Sequence, residues 1–132
     1  MDGMDIALCS IKDMQLEYAG AHNPLWIIRN GEIIETKANK QPVGKFRASE
    51  AFDTHNISLE KGDILYIFSD GYADQFGGKK GKKFKTRNFR ELLISIQDKS
   101  MADQKIIIDE TFETWKGPLY QIDDVCIIGV RV

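Results

Sequence analysis

The sequence predicts an α+β layered domain: a run of strands, then two helices, then one closing strand. Three observations carry that prediction. Short strand-like apolar runs follow one another from Asp5 to Leu59, and Asn30-Gly31, the strongest hairpin signal in the chain, separates two of them. The run Asp63-Ile64-Leu65-Tyr66-Ile67-Phe68-Ser69-Asp70-Gly71 is apolar on both alternating faces, as a strand covered on two sides must be. Phe89, Leu92, Leu93 and Ile96 stand at i, i+3, i+4 and i+7, the spacing of a helix with one apolar stripe.

Taken in order, Asp5 to Lys12 reads as the first strand, and a polar turn at Lys12-Asp13 leads to Leu16-Glu17-Tyr18-Ala19. Leu25 to Arg29 and Glu32 to Thr36 form the two arms of the Asn30-Gly31 hairpin. Ala38 to Glu50, with Pro42 and Gly44 among polar residues, reads as a loop; Phe52 to Leu59 alternates as another strand. Gly77 to Lys83 reads as a flexible basic loop. Ser100-Met101-Ala102-Asp103 resembles a capping box and opens a second helix, which carries Ile106, Ile107, Phe112 and Trp115. Gly117-Pro118 ends it. The closing strand, Val125 to Val132, places Cys126, Ile128, Val130 and Val132 on one face.

The 132 residues, 42% hydrophobic, suffice for one domain with a core. A formal net charge of -2 argues against a dedicated nucleic-acid binder. Cys9 and Cys126 both lie in apolar strand-like runs and read as buried free thiols, which fits a reducing compartment. No apolar run approaches the ~20 residues of a membrane span, and no signal peptide is visible, so a cytoplasmic location without membrane contact is expected.

The candidate site is a set of carboxylates. Asp70 ends the central strand, next to a glycine that permits an unusual turn, and Asp123-Asp124 stands just before the closing strand. Hard cations such as Mg²⁺ and Mn²⁺ take carboxylate oxygens, so two or three aspartates at strand ends can hold one. The plain alternative is that Asp70 caps a turn and Asp123-Asp124 merely begins a strand. His22, in Ala19-Gly20-Ala21-His22-Asn23-Pro24, reads as a catalytic histidine or as one tied to backbone in a tight turn. Six Lys or Arg between Lys79 and Arg87 could attract phosphate, an acidic protein or RNA, but with Phe84 the sole aromatic among them a nucleic-acid platform is poorly supported. There is no Walker loop, dinucleotide fingerprint, Cys-x-x-Cys or His-Glu-x-x-His motif.

Together the segments resemble the SpoIIE-type branch of the metal-dependent, type 2C-like serine/threonine protein phosphatases. Four blocks carry the resemblance in the family's order: Leu16 to Leu25 around Ala21-His22-Asn23-Pro24, Gln41-Pro42-Val43-Gly44, Leu59 to Asp74 around Asp70-Gly71, and Gln121 to Val132 around Asp123-Asp124. The resemblance implies a layered αββα sandwich. It also implies Mn²⁺ or Mg²⁺ ions, a pair in the complete domain, held in part by acids at the Asp70 and Asp123 positions, with Asp124, Gly71 and His22 in support. The ions activate a water that attacks a phosphoserine phosphorus without a phosphoenzyme. Substrates of this branch are typically anti-anti-sigma proteins of the STAS-domain type in bacterial signalling, and an upstream sensor domain often controls the phosphatase.

The sequence departs from the family pattern at Ala21, usually glycine, at Asp74, often glutamate, and at Cys126, often threonine or serine. The family's upstream Asp-x-x-Gly-His-Gly-like metal motif has no counterpart here; Asp2-Gly3 comes too late in the order to serve. The resemblance thus implies that residues 1–132 are one partial domain, the C-terminal part of an N-terminally truncated phosphatase fold. Such a piece is expected to be inactive alone and to self-associate through uncovered apolar surface. The competing expectation is a non-catalytic interaction or dimerisation module derived from the same fold.

Overall fold

Two antiparallel sheets face each other, and helices cover the outer side of one. The structure, a computed structural model, describes residues 3–44 and 50–132. Part of the expected loop from Ala38 to Glu50 therefore lies outside the described residues.

The first sheet holds β1 (Ile6–Lys12), β2 (Gln15–Ala21) and β5 (His55–Ser58), in the order β1-β2-β5. The second holds β3 (Leu25–Arg29), β4 (Glu32–Thr36), β6 (Ile64–Phe68) and β9 (Ile127–Arg131), in the order β4-β3-β6-β9. The β3–β4 turn is the expected Asn30-Gly31 pair; both residues adopt positive φ, 51° and 78°, matching the twist of the flanking strands. The β1–β2 turn places Asp13 and Met14 at φ 50° and 62° with no glycine to relieve the cost.

Alternation along β6 sorts the core into two layers. Leu65 faces the first sheet and joins Leu16, Tyr18, Leu25, Ile27 and Leu59 between the sheets. Ile64 and Tyr66 face the other way, with Trp26, Ile28, Phe89, Leu93, Ile108 and Phe112 beneath the helices. Each fully buried side chain of this kind is worth ~1.5–3 kcal/mol relative to exposure. The helices are α2 (Thr86–Ser95) and α3 (Met101–Lys116). The Ser100 hydroxyl accepts the Asp103 amide at 3.1 Å, so the cap read from the sequence forms. Arg90 of α2 lies 4.4 Å over the Trp26 ring and bonds Glu35 at 2.8 Å, and Glu35 also accepts the Trp26 indole N–H at 2.7 Å. These contacts pin the helix to the sheet.

Described residues thus supply three of the four expected layers, a helical layer on two sheets. Several expectations need correction. The expected basic loop from Gly77 to Lys83 is a short hairpin, in which Phe76–Gly77 (β7) pairs with Lys82–Lys83 (β8), and before it Gly71–Asp74 forms one helical turn, α1. On α3, Ile106 is exposed, and Gln104 and Ile108 take the buried face instead. Both cysteines are free, but Cys9 is only half-buried and Cys126 is exposed. Cys9 lies on β1 and Cys126 just before β9, the edge strands of the two sheets, so no further strand closes over either thiol. None of the described helices is long and apolar enough to cross a membrane.

Candidate functional site

The pairing of β6 with β9 decides where the acids go. The strands run antiparallel with Phe68 opposite Ile127, so the chain leaving β6 and the chain entering β9 meet at one end of the sheet. Asp70 follows the first and Asp123 precedes the second; the two share that end although 53 residues of sequence separate their numbers (123 − 70). The β1 end carrying Asp5 lies there too, since Ile6 bridges His22 at the end of β2.

Electrostatics report the same convergence. Desolvation against the strand end raises the Asp70 carboxyl above the ordinary carboxylate range, and the charges of Asp74, Asp123 and Asp5 push it further. The Asp123 charge acts on Asp70 in this way. The Asp123 carboxylate folds back to accept the Asp124 amide at 2.7 Å, and its backbone carbonyl accepts the Gln121 side-chain amide at 2.9 Å. Asp124 contributes its backbone: its carbonyl accepts the Ser69 hydroxyl at 3.0 Å and lies against Gly71.

His22 does not act alone. Its Nδ1 lies 2.8 Å from the Asp5 carboxylate, and its backbone, at φ 62°, bonds Asn39. It is therefore both tied into a tight turn and turned toward the acidic end. His55 stacks on Tyr18 at 5.8 Å, away from that end. Two further acids stand at this end: Asp5, which carried no motif signal in the sequence, and Asp74, which entered there only as a departure from the family pattern. Asp5 opens an ordinary-looking strand, and its partner lies 17 residues on. Asp74 stands one helical turn after Asp70, where its amide donates to the Asp70 carbonyl at 3.0 Å. Of the basic segment, Lys83 reaches Asp74 at 3.6 Å.

Carboxylate oxygens gathered in this way suit a hard divalent ion in donor chemistry. Among the described residues, however, no three acidic, histidine or cysteine side chains lie close enough to hold one by themselves. In donor type the acids at this end, Asp70 and Asp123 among them, match what such an ion takes.

Two packed sheets with a helical layer on one of them match the fold of type 2C protein phosphatase domains. The chain belongs to the SpoIIE family: the model for stage II sporulation protein E matches residues 3–132. Among solved structures, it is similar to the SiaA-PP2C domain of Pseudomonas aeruginosa, at 28% identity and TM-score 0.80, over 90% of this chain and 46% of that one. It also resembles the phosphatase domain of the cell fate determinant SpoIIE from Bacillus subtilis, at 15% identity and TM-score 0.67, over 98% of this chain and 57% of that one. A third similar structure is PppA, a key regulatory component of T6SS in Pseudomonas aeruginosa, at 16% identity and TM-score 0.70, over 98% and 57%. The chain spans about half the length of these structures. Among curated proteins, none matches the chain. The family is one of protein phosphatases and is generally metal-dependent.

Proposed function

We propose that these residues supply the Asp70–Asp123 side of the active centre of a metal-dependent protein serine/threonine phosphatase. The proposed substrate is phosphoserine on a bacterial signalling protein of the anti-anti-sigma, STAS-domain type. The observation that carries the reading is the β6–β9 register, which brings Asp70 and Asp123 to one end, where the Asp123 charge helps to raise the Asp70 carboxyl. Family membership supports the reaction class, and the resemblance supports the substrate class.

Asp70 and Asp123 would present carboxylate oxygens to Mn²⁺ or Mg²⁺. A cation held there supplies Lewis acidity, neutralising phosphoryl oxygens and acidifying water. The protein's part is to hold the two acids at one end despite their repulsion, which the β6–β9 pairing does. Asp5 holds the His22 ring at the rim of this end, where the imidazole can exchange a proton with water or substrate.

The test compares Mn²⁺-dependent hydrolysis of p-nitrophenyl phosphate and of a phosphoserine protein by three chains. These are the 132 residues alone, a longer chain carrying the other half of the domain, and the longer chain with Asp70→Asn. The short chain should stay near background, because it holds one side of the centre, and the long chain should turn over. Asp70→Asn should abolish most of that turnover while making the metal-free protein more stable at neutral pH. The sign follows from the raised carboxyl: stability linked to Asp70 is present in acid and lost as pH rises through its folded value, so a neutral amide removes a cost at pH 7. Full activity in Asp70→Asn would sink the assignment.

A second reading, an interaction or dimerisation module, is favoured by one observation. The edge strands β1 and β9 expose large apolar side chains, with Leu8 at 65%, Ile128 at 51% and Val130 at 41%. A folded but inactive long chain that sediments as a dimer would favour it.

A further inference from the structure

Ser69 spends its whole hydroxyl on the turn that carries Asp123. The hydroxyl donates to the Asp124 carbonyl at 3.0 Å and accepts the Cys126 amide at 3.0 Å. The Ser69 amide donates to the Cys126 carbonyl at 2.9 Å, so three bonds fasten one residue to the entry of β9. Gly71 meets the same carbonyl from the other side of Asp70: a Cβ built there would lie 2.2 Å from the Asp124 oxygen and 2.9 Å from its carbon. Asp70 therefore sits between two residues that grip one backbone group, and Asp123 is the residue immediately before that group.

From this geometry we propose that Ser69 is a positioning residue for the acid pair, resting on the metal-centre reading above. Its hydroxyl sets the separation of Asp70 and Asp123, and so decides whether both carboxylates can share one cation. Without it the carbonyl of Asp124 and the amide of Cys126 turn to water, and mutual repulsion of the two aspartates is free to spread the turn. Ligand-orienting groups of this kind typically change metal affinity roughly 10- to 100-fold. The inference also gives Asp124 a role through its main chain, which a purely side-chain reading of the Asp123-Asp124 pair overlooks.

The experiment is a Mn²⁺ titration of the 132-residue chain followed by paramagnetic broadening of its amide resonances, which detects weak binding without turnover. Urea denaturation of each variant runs alongside. In the unaltered chain, Gly71 and Asp124 should broaden first. Ser69→Ala should need roughly tenfold or more Mn²⁺ for equal broadening while remaining folded, whereas Ser69→Thr, which restores the hydroxyl, should stay within about twofold. Should the alanine variant fail to fold, Ser69→Cys, with a weak donor of similar size, should need more Mn²⁺ than Ser69→Thr for equal broadening, and equal need in the two would overturn the inference. Equal broadening in all variants overturns the inference, as does a threonine variant as impaired as alanine. An unaltered chain with no selective broadening overturns the metal-centre reading itself, and the inference with it.

Discussion

Gly71→Ala is the sharpest steric test of how the acidic end is put together. Gly71 is fully buried at the start of α1, and its conformation is not a left-handed one, so an added methyl costs nothing in backbone strain. The cost is contact. The methyl would stand 2.2 Å from the Asp124 carbonyl oxygen, against the ~3.3 Å of a close C···O approach. One side must therefore yield by about 1 Å. Both are tied: Asp124 through Ser69, and α1 through Tyr72, whose hydroxyl donates to the Ile108 carbonyl at 2.8 Å. Overpacking of this kind costs about 1–3 kcal/mol. The helical preference of alanine over glycine returns at most ~1 kcal/mol, and α1 is only four residues long. The expected net loss is about 1–2 kcal/mol by urea denaturation, with an unchanged m-value and with amide shifts concentrated at Asp123 to Cys126. A variant as stable as the unaltered chain, or shifts spread evenly over α1 and α3, would refute the account of Gly71 as a contact surface for the turn.

Two further expectations concern the scaffold. Asp63 is buried and held by both nitrogens of an Arg29 fork, at 3.0 and 2.7 Å, and also by the Glu60 amide at 2.8 Å. The Arg29 bonds hold its carboxyl below the usual range, so its stabilisation is present above the unfolded value of ~3.9 and lost as pH falls through the lower folded value. Asp63→Asn should therefore destabilise the protein at neutral pH by an amount that shrinks below about pH 4; a gap that stays constant down to the acid limit would contradict the ion pair. Tyr72→Phe removes one buried hydrogen bond and keeps the ring contacts with Phe84, Phe89 and Phe112, so a loss of about 1 kcal/mol is expected. Tyr72→Ala should cost about 3–5 kcal/mol, and equal losses in the two variants would show that packing around the ring contributes nothing.

What could be read from the residues alone was what is encoded locally. The Asn30-Gly31 turn, the two-sided apolar run of β6, the Ser100 cap and the stripe on α2 each depend on a few neighbouring residues, and each formed. The β7–β8 hairpin was missed because glycine and lysine have little strand preference; it is held by packing on α3, where a Cβ on Gly77 would lie 1.8 Å from the Trp115 carbonyl. In the closing strand the alternation identified the correct face, since Val132 joins the core between the sheets. Periodicity gives the face of a strand but not whether anything covers it, and at the edge of the sheet Ile128 and Val130 stay exposed. The acids behaved likewise. Asp70 and Asp123 could be suspected because each adjoins a strong strand. Asp5 could not, because its place at the acidic end depends on the β1–β2 pairing and not on any spacing to Asp70.

The β6–β9 pairing also sets a timetable. Asp70 leaves the ribosome on a strand that already has β3 to pair with, but its partner acid lies on the far side of two helices and arrives only with the last dozen residues described. Until β9 lays itself along β6, the acidic end does not exist, and Tyr66, Ile64 and Phe68 present an open edge to whatever is nearby. A nascent chain of this design cannot gather its paired carboxylates before this part of the polypeptide has been made. The cost is an unpaired strand edge that must stay out of trouble for the time taken to translate the two helices.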